Sequence, residues 1–314
     1  MKKTLMLAGF VALMSNSAMA TTIGVSMARF DDNFLTIVRN GMSDYAKTLP
    51  DTRLQIEDGG NDVAKQLDQV KNFIASKVDA IIVNPVDTNA TQAISAAAEA
   101  AHIPLVYVNR QPVNVDTLPK DQAFVGSDEK DSGTLEATEV CRLLKAAGHG
   151  KSAAILVMEG ELSNQAAVQR TKDVHDVVAT PDCKFMRIVQ EQTANWQRDQ
   201  AQNLMTNWLS SGIKYDAVIA NNDEMAIGII QAMKAAGVDA SKSIVAGVDA
   251  TKDGLAEMKA GNLKVTVFQD ADGQGRGAVD AALTLIKGGT VEKKGYVPFQ
   301  LVTPANMAKF MAKN

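Results

Sequence analysis

The feature that most constrains the fold of this chain is a regular alternation of short β-branched runs with longer amphipathic stretches, which begins at Thr22. The longer stretches, such as AKQLDQVKNFIASK and ATQAISAAAEAAH, carry apolar residues at helical spacing. The runs that we predict to be strands are residues 22–26, 53–57, 80–83, 104–108, 153–157, 185–189, 217–220, 243–248 and 264–268. Strands joined by helices through short connections form right-handed βαβ units. The pattern therefore predicts an α/β fold in which helices cover both faces of parallel sheets.

The length of the chain favours two lobes over one wide sheet. About 290 residues follow the first twenty, which is more than a single hydrophobic core usually organises. The composition changes near Gly126 and Ser127, where a second strand-helix series begins after the loop QPVNVDTLPKDQ. No low-complexity or Pro-rich segment separates the halves. We therefore expect two lobes joined by a hinge rather than by a flexible tether.

The first twenty residues have the order of a secretory signal peptide. Two lysines precede an apolar stretch from Leu5 to Met14, and the sequence Ala-Met-Ala at 18–20 supplies the small residues of a cleavage site. The apolar stretch is shorter than the ~20 residues that a permanent membrane helix needs. We expect cleavage after Ala20 and export of the mature chain, with an uncleaved anchor as the alternative.

The charge and the histidine content argue against nucleic-acid and metal partners, and the cysteine content raises the question of a disulfide. Without Lys2 and Lys3 the formal net charge of −4 becomes −6, and the Lys and Arg residues are not clustered. Nucleic-acid binding requires a basic surface, so no nucleic-acid partner is expected. Cys141 and Cys183 are the only cysteines, and in an oxidising compartment a disulfide between them and a free pair are both open. The three histidines are scattered, which argues against a metal site.

Polar and aromatic side chains follow most of the predicted strands. Ligands of open parallel sheets bind beyond the carboxyl ends of the strands, so these side chains are candidates for a binding site. They include Asp31, Asp32, Phe34, Asn109 and Arg110 in the first half and Trp196, Asn222, Asp249 and Gln269 in the second. Asp and Asn at such positions also serve as turn and helix-cap residues. Trp196 also fits a core position, although Trp208 is the better candidate for a buried helix face.

The candidate residues suit a neutral polyol. Each hydroxyl of such a ligand both donates and accepts a hydrogen bond, so carboxylates, amides and guanidinium groups can bind it in pairs. Hydrogen bonds to ionised groups are the stronger ones. The carbon-bound hydrogens of a ring form apolar faces, which an aromatic side chain from each lobe can cover.

The stretch VFQDADGQGRGA at 267–278 allows three interpretations, and two of them fail. A calcium loop that starts at Asp270 would require a bidentate Glu at the position that Ala281 occupies. Gly273, Gly275 and Ala278 fit a dinucleotide motif, but too little chain follows to complete a nucleotide-binding unit. The remaining interpretation is that Gln269 ends a strand and faces the cleft, while the glycines let the chain pass back between the lobes. The chain also has no hydrolase, metalloprotease or Walker motif. We therefore expect neither an enzyme nor a cofactor.

Six segments together resemble a known family. ARFDDNF, NRQP, AAVQRT, VIANNDEMAIG, GVDATKDG and VFQDADGQG occur here in the order found in periplasmic sugar-binding proteins of the ribose and galactose/glucose type, type I periplasmic binding proteins. The resemblance covers the chain from Thr22 to about Gly289. It implies two Rossmann-like lobes joined by a three-segment hinge, with residues 21–126 and about 271–293 in the first lobe. Residues 127–270 and about 294–314 would form the second.

The resemblance also implies the residues that bind the ligand. Asp32, Phe34, Asn109 and Arg110 would come from the first lobe, and Arg170, Trp196, Asn222 and Asp249 from the second, with Gln269 near the hinge. Phe34 and Trp196 would stack on the two faces of the ring, and the polar residues would bind its hydroxyl groups. The lactose-repressor-like regulators belong to the same wider group, but the signal peptide and the lack of N-terminal DNA-binding helices argue against a regulator.

Departures from the family pattern restrict the class of ligand that the resemblance implies. The galactose/glucose branch carries a His and an Asp where this chain has Asn164 and Ala166, and its calcium loop has no counterpart here. TVFQDADGQGRGAVDAAL is most similar to the inositol-binding branch. The resemblance thus implies a receptor for a cyclic polyol such as myo-inositol, which acts as a monomer with an inner-membrane ABC permease. A ribose, galactose or other sugar receptor, a chemotaxis or quorum-signal receptor, and an amino-acid receptor are the alternatives.

Overall fold

The computed structural model describes residues 20–314, so the predicted signal peptide lies outside the described residues except for Ala20. Two sheets, each covered by helices on both faces, form the two lobes. No helix among residues 20–314 combines the length and the apolar character required to cross a membrane.

The first lobe is built on a six-stranded sheet whose strands are all parallel. Its order is β11-β5-β4-β3-β1-β2. The strands are β1 (Thr21–Met27), β2 (Thr52–Asp58), β3 (Ala80–Val83), β4 (Leu105–Val108), β5 (Gln122–Gly126) and β11 (Lys294–Tyr296). The helices are α1 (Asn33–Thr48), α2 (Val63–Ala75), α3 (Thr91–Ala100) and α9 (Ala271–Ile286), with a 3-10 turn at Val115–Thr117. Helices α1 and α9 pack on one face of the sheet, and α2 and α3 pack on the other.

The second lobe has a four-stranded parallel sheet of order β7-β6-β8-β9 and a two-stranded antiparallel ladder beside it. The strands are β6 (Ala153–Glu159), β7 (Met186–Thr193), β8 (Ala217–Ala220), β9 (Ile244–Ala246), β10 (Thr266–Phe268) and β12 (Gln300–Val302). The helices are α4 (Glu129–Ala146), α5 (Gln165–Ala179), α6 (Arg198–Ser210), α7 (Asp223–Ala235) and α8 (Lys252–Lys259), with 3-10 turns at Ala240–Lys242 and Met307–Lys309. Trp208 on α6 is buried in this lobe, as predicted.

The chain crosses between the lobes three times, as the resemblance implied. It crosses after β5, again between β10 and α9, and finally between β11 and β12. Because Lys294–Tyr296 pairs with β5, the last crossing lies after residue 296 rather than near 293. The sequence missed β11 because a three-residue strand has no measurable alternation.

The glycines of the stretch at 267–278 do not carry the chain between the lobes, so that prediction was wrong. They lie within α9. A Cβ atom on Gly275 would lie 2.7 Å from the Val38 carbonyl oxygen and 2.9 Å from the Met42 nitrogen on α1. Gly275 therefore permits the close packing of α9 on α1, whereas the crossing itself is made by Gln269 and Asp270.

A disulfide joins Cys141 on α4 to Cys183 before β7, which resolves the alternative that the sequence left open. It closes a segment of 42 residues within the second lobe. Among residues 20–314, the one group of three side chains of metal-ligating type whose ligand atoms lie within 4.8 Å of one another is this cystine with Asp182. Since both thiols are already bonded to each other, that group provides no thiolate ligands.

Candidate functional site

One cleft between the lobes brings together all nine residues that the sequence predicted for the site. Its lining includes Asp32, Phe34, Asn109, Arg110, Arg170, Trp196, Asn222, Asp249 and Gln269. Leu35, Glu129, Asn164 and Ala166 complete it. The cleft holds about 370 Å³ of space free of protein atoms, part of which is open to solvent. The nine residues are thus neighbours in space, and their role in binding stays a prediction.

The loops that carry these residues have unusual backbone angles. Asn109 and Trp196 each have a φ of 65°, and Asp249 has a φ of 117°. The neighbours Asn195 and Ala250 also have positive φ values, of 52° and 51°. Residues other than glycine adopt such angles at a cost of the order of 1–3 kcal/mol each, and they concentrate at functional sites. Among residues 20–314, these five are the majority of the nine non-glycine residues with a positive φ, and they lie in loops that reach the cleft.

Arg170 on α5 is the most heavily bonded side chain of the second lobe's half of the cleft. Its Nε and Nη2 donate to the two carboxylate oxygens of Glu129 at 2.7 and 3.1 Å. Its Nη1 donates to the Asn221 carbonyl at 2.7 Å, and Nη2 also donates to Gln269 Oε1 at 3.2 Å. Burial acts to lower the pKa of Arg170, but Glu129 and Asp249 more than offset this and raise it above the ordinary value. The guanidinium group therefore stays charged and fixed in orientation.

Arg110, at the end of β4, holds the corresponding place in the first lobe. It is buried, and its Nη1 lies 3.2 and 3.3 Å from the carbonyl oxygens of Pro85 and Val86, to which it donates. Its Nη2 lies 3.4 Å from Glu161 of the second lobe. Two fixed arginines thus face the cleft, one from each lobe.

Asp32 and Asn222 each combine a structural role with a place in the cleft. The Asp32 carboxylate accepts from the Leu35 N–H at 2.9 Å and caps α1, and Asn222 Oδ1 accepts from the Met225 N–H at 3.0 Å and caps α7. The helix-cap interpretation therefore holds for these two residues, which also line the cleft, and their role in binding stays a prediction. Burial raises the pKa of Asp32 above its ordinary value, which the Leu35 N–H and Arg110 partly oppose.

Several polar atoms of the cleft have no hydrogen-bond partner among residues 20–314. Trp196 Nε1 and Gln269 Nε2 are buried donors without an acceptor. The carboxylate of Asp249 is buried, with Arg170 Nη1 at 3.9 Å as its nearest cation. Burial raises the pKa of Asp249 well above its ordinary value, although Arg170 opposes the shift. Buried polar atoms normally find partners, so the Trp196 and Gln269 donors indicate that the cleft is built for a polar ligand, for which the Asp249 carboxyl group is an additional acceptor.

Aromatic side chains enter the cleft from both lobes. Phe34 lies in the first turn of α1 and is 6% exposed, and Trp196 lies just before α6 and is 7% exposed. The Arg170 guanidinium group is 5.6 Å from the centre of the Trp196 ring, within the range of a cation–π interaction. The indole ring also lies against Gly160, where a Cβ atom would come within 2.2 Å of it.

The two lobes touch each other around the rim of the cleft, so the described form is closed. Asn33 Nδ2 donates to Glu224 across the rim at 3.0 Å. The Thr88 N–H and hydroxyl both donate to the Ser163 carbonyl, at 3.1 and 3.0 Å. Glu161 of the second lobe receives hydrogen bonds from the first.

The sequence missed Glu129 and Asn164 as cleft residues. Glu129 follows β5, a strand that the sequence did not predict, so its position after a strand end could not be recognised. Asn164 was noticed only as a departure from the family pattern. In the structure it caps α5 through the Ala166 N–H at 3.1 Å and lines the cleft beside Ala166. The rule that ligands bind beyond strand ends would have included Glu129 if β5 had been found, whereas Asn164 lies five residues beyond β6, a strand that was predicted.

A buried carboxyl group behind the cleft should make the stability of the protein depend on pH. Glu136 on α4 is fully buried, and neither of its side-chain oxygens has a partner among residues 20–314. Burial raises its pKa well above the ordinary value, Arg170 opposes the shift, and Asp223 adds to it. Burial also raises the pKa of Asp173 and of Asp223 to about 7.

We expect the free energy of unfolding to fall as the pH rises from about 4 to 8. Carboxyl groups with raised pKa values in the folded state stabilise it fully only below their unfolded pKa values, which are about 4. This stabilisation is lost as the pH rises through the folded values. Glu136→Gln keeps the shape without the charge, so it should raise the free energy of unfolding at pH 8 by more than about 1 kcal/mol and hardly change it at pH 4. Thermal unfolding across this range measures both slopes, and equal slopes in the two proteins would contradict the assignment to Glu136.

Comparison with known proteins agrees with the cleft architecture. Residues 23–290 match the family described as periplasmic binding protein domain. The chain is 62% identical over 314 residues to the "Putative rhizopine-binding protein" of Rhizobium meliloti, and the match covers all of both chains. A solute-binding protein of an ABC transporter from Bacillus halodurans, solved with bound myo-inositol, is 40% identical with a TM-score of 0.87 and covers 96% of this chain and 100% of its own.

A second solved structure supports the same assignment. The Caulobacter myo-inositol binding protein, bound to myo-inositol, is 28% identical with a TM-score of 0.84 and covers 93% of this chain and 96% of its own. These relatives are solute-binding proteins and not enzymes, which confirms the prediction that this chain is not an enzyme. With its two α/β lobes, its three crossings and a family match over most of its length, the chain belongs to the periplasmic binding protein family.

Proposed function

We propose that the protein captures myo-inositol or a closely related cyclitol in the cleft between its lobes and delivers it to an ABC permease of the inner membrane. The observation that carries the proposal is the convergence of one aromatic side chain and several hydrogen-bonding groups from each lobe on a single cavity. The names of the similar proteins add support, because two of them are solved with myo-inositol in place.

The chemistry of the cleft suits a ring that carries a hydroxyl group on every carbon. Phe34 and Trp196 would cover the two apolar faces of the ring. Asp249 would accept hydrogen bonds from hydroxyl groups of the ring, and Trp196 Nε1 and Gln269 Nε2 would donate to them. Arg170 and Asn222 would complete the contacts in the second lobe. Asp32, Asn109 and Arg110 would bind the hydroxyl groups that point toward the first lobe. Each otherwise unpartnered atom of the cleft would then have a partner.

Closure follows from the position of the site. A ligand that contacts both lobes binds the closed form better than the open form, so binding shifts the population toward closure. Raising the closed fraction from about 1% to about 99% requires a difference of about 5.5 kcal/mol between the ligand's binding free energies for the two forms. The permease would then recognise the closed arrangement of the lobe tips.

We propose further that the protein acts as a monomer in the periplasm. Residues 1–20 would direct export and be removed after Ala20, which the order of lysines, apolar residues and small residues supports. Mass spectrometry of protein purified from the periplasm would show whether the mature chain begins at Thr21.

Titration calorimetry with a panel of ligands tests the proposed function. We expect myo-inositol to bind with a dissociation constant in the micromolar range or below, equivalent to about −8 kcal/mol or better. Ribose and galactose should bind at least tenfold more weakly. No heat with any cyclitol, or tighter binding of a sugar in the same panel, would contradict the choice of ligand.

A further inference from the structure

Glu161 stands outside the ligand cleft, yet it is buried between the lobes. It follows β6 in the second lobe, and the residue is 6% exposed. All of its side-chain partners among residues 20–314 come from the first lobe. A carboxylate of one lobe that is held only by the other is a contact that exists only while the lobes are closed.

Three first-lobe side chains converge on this carboxylate, each from the end of a different strand. Arg29, after β1, donates from Nη1 to Glu161 Oε1 at 3.3 Å. Asn61, after β2, donates from Nδ2 to the same oxygen at 3.1 Å. Arg110 Nη2 lies 3.4 Å from Oε2, an ion pair without hydrogen-bond geometry.

Arg110 connects this cluster to the ligand cleft. Its other terminal nitrogen is held by the carbonyl groups of Pro85 and Val86 in its own lobe. Among the described residues, Glu161 is the one group of the second lobe that lies within ion-pair distance of Arg110. The carboxylate thus neutralises a buried guanidinium group that lines the cleft, and it does so only in the closed form.

We propose that Glu161 is a positioning residue that couples lobe closure to the ligand site by pairing with Arg110, Arg29 and Asn61. This inference rests on the proposed function. Opening the lobes returns all four side chains to water, where the charges are well solvated and interact weakly. The contacts therefore favour the closed form selectively, and a contact made in one of two states shifts the population toward that state. Its effect on a ligand that binds the closed form is a slower release.

The test compares Glu161→Gln with the wild type for binding of myo-inositol. The amide keeps the size of the side chain but removes the charge that pairs with both arginines. We expect affinity to fall at least tenfold, with most of the change in the dissociation rate and little change in the association rate. Small-angle scattering at saturating ligand should show closure in both proteins, while a tenfold higher ligand concentration is needed to close the variant.

Two controls separate this role from a general loss of structure. Glu257→Gln removes a carboxylate that pairs with Lys234 and Asn262 inside the second lobe, and it should leave affinity unchanged. The melting temperature of ligand-free Glu161→Gln should match that of the wild type, because the open form does not use this contact. Arg29 also pairs with Asp31 of its own lobe at 2.6 Å, so in a double-mutant cycle Arg29→Gln should weaken ligand binding less in the Glu161→Gln background than in the wild type, because the shared contact is already lost.

The outcomes distinguish this inference from the function on which it rests. Wild-type affinity and release rate in Glu161→Gln, with normal binding by the wild type, would overturn the role of Glu161 and leave the proposed function standing. An equal loss of affinity in Glu257→Gln would also overturn it. Failure of the wild type to bind any cyclitol would count against the proposed function itself.

Discussion

Asp249→Asn should weaken the binding of myo-inositol by at least a hundredfold. Asp249 is buried at the end of the second lobe's sheet, and its backbone is fixed by a hydrogen bond from its N–H to the Val267 carbonyl at 2.8 Å. Hydrogen bonds to a charged group contribute about 1.5–3 kcal/mol each, and a hundredfold change corresponds to about 2.7 kcal/mol. The loss of one or two charge-assisted bonds to ligand hydroxyl groups accounts for the expected effect.

Asparagine is the appropriate replacement because it matches aspartate in shape and tolerates the positive φ at this position. Thermal unfolding without ligand should show that the variant is folded. Asp176→Asn provides a matched control, since that carboxylate is exposed and pairs with Lys172 on the same helix. Calorimetric affinity within threefold of the wild type in Asp249→Asn would place the ligand elsewhere.

Trp196→Ala should weaken binding by at least a hundredfold, and Trp196→Phe by about tenfold or less, the effect of one neutral hydrogen bond. The indole is one of two aromatic side chains in the cleft lining, and a ring of this size covers on the order of 150–250 Å² of apolar surface when buried. At roughly 25 cal/mol per Å², the part of that surface that covers a small ring contributes enough binding free energy to explain the expected loss of affinity. Phenylalanine keeps a flat face but removes the Nε1 donor that has no protein partner.

The pair of variants therefore separates the aromatic face from the donor. A loss in Trp196→Ala alone assigns the energy to the face, and an equal loss in both assigns it to the N–H group. Circular dichroism and thermal unfolding of the ligand-free variants serve as the control for folding. Unchanged affinity in Trp196→Ala would contradict the proposed sandwich of the ring between Trp196 and Phe34.

The fold could be predicted from the sequence because short β-branched runs and longer amphipathic stretches report burial directly. The strands that escaped prediction were β5, β11 and β12, and the last two are three residues long. Their pairing depends on the chain crossing between lobes, a tertiary contact that leaves no local pattern. The antiparallel pairing of β10 with β12 could not be predicted for the same reason, since β12 reaches β10 only after the third crossing between the lobes.

Most of the predicted cleft residues could be found because they follow strand ends. Arg170 on α5 follows no strand end, and only the resemblance to a family assigned it to the site. Glu129 and Glu161 were not found. Glu129 binds Arg170 and lines the cleft, and Glu161 receives partners from three separate strand ends. The contacts of Glu161 depend on how the two lobes meet, and no short motif along the chain encodes that arrangement. Glu129 contacts Arg170 within the second lobe, and it was missed because β5 was not predicted.

The central claim is that a small polyol ring is held between the two lobes by an aromatic side chain from each. A crystal structure of the protein grown with myo-inositol tests this claim most directly. We expect the ring between Phe34 and Trp196, with hydroxyl groups within hydrogen-bond distance of Asp249 and Arg110. A ring bound outside the cleft, or one that contacts residues of a single lobe, would contradict the account.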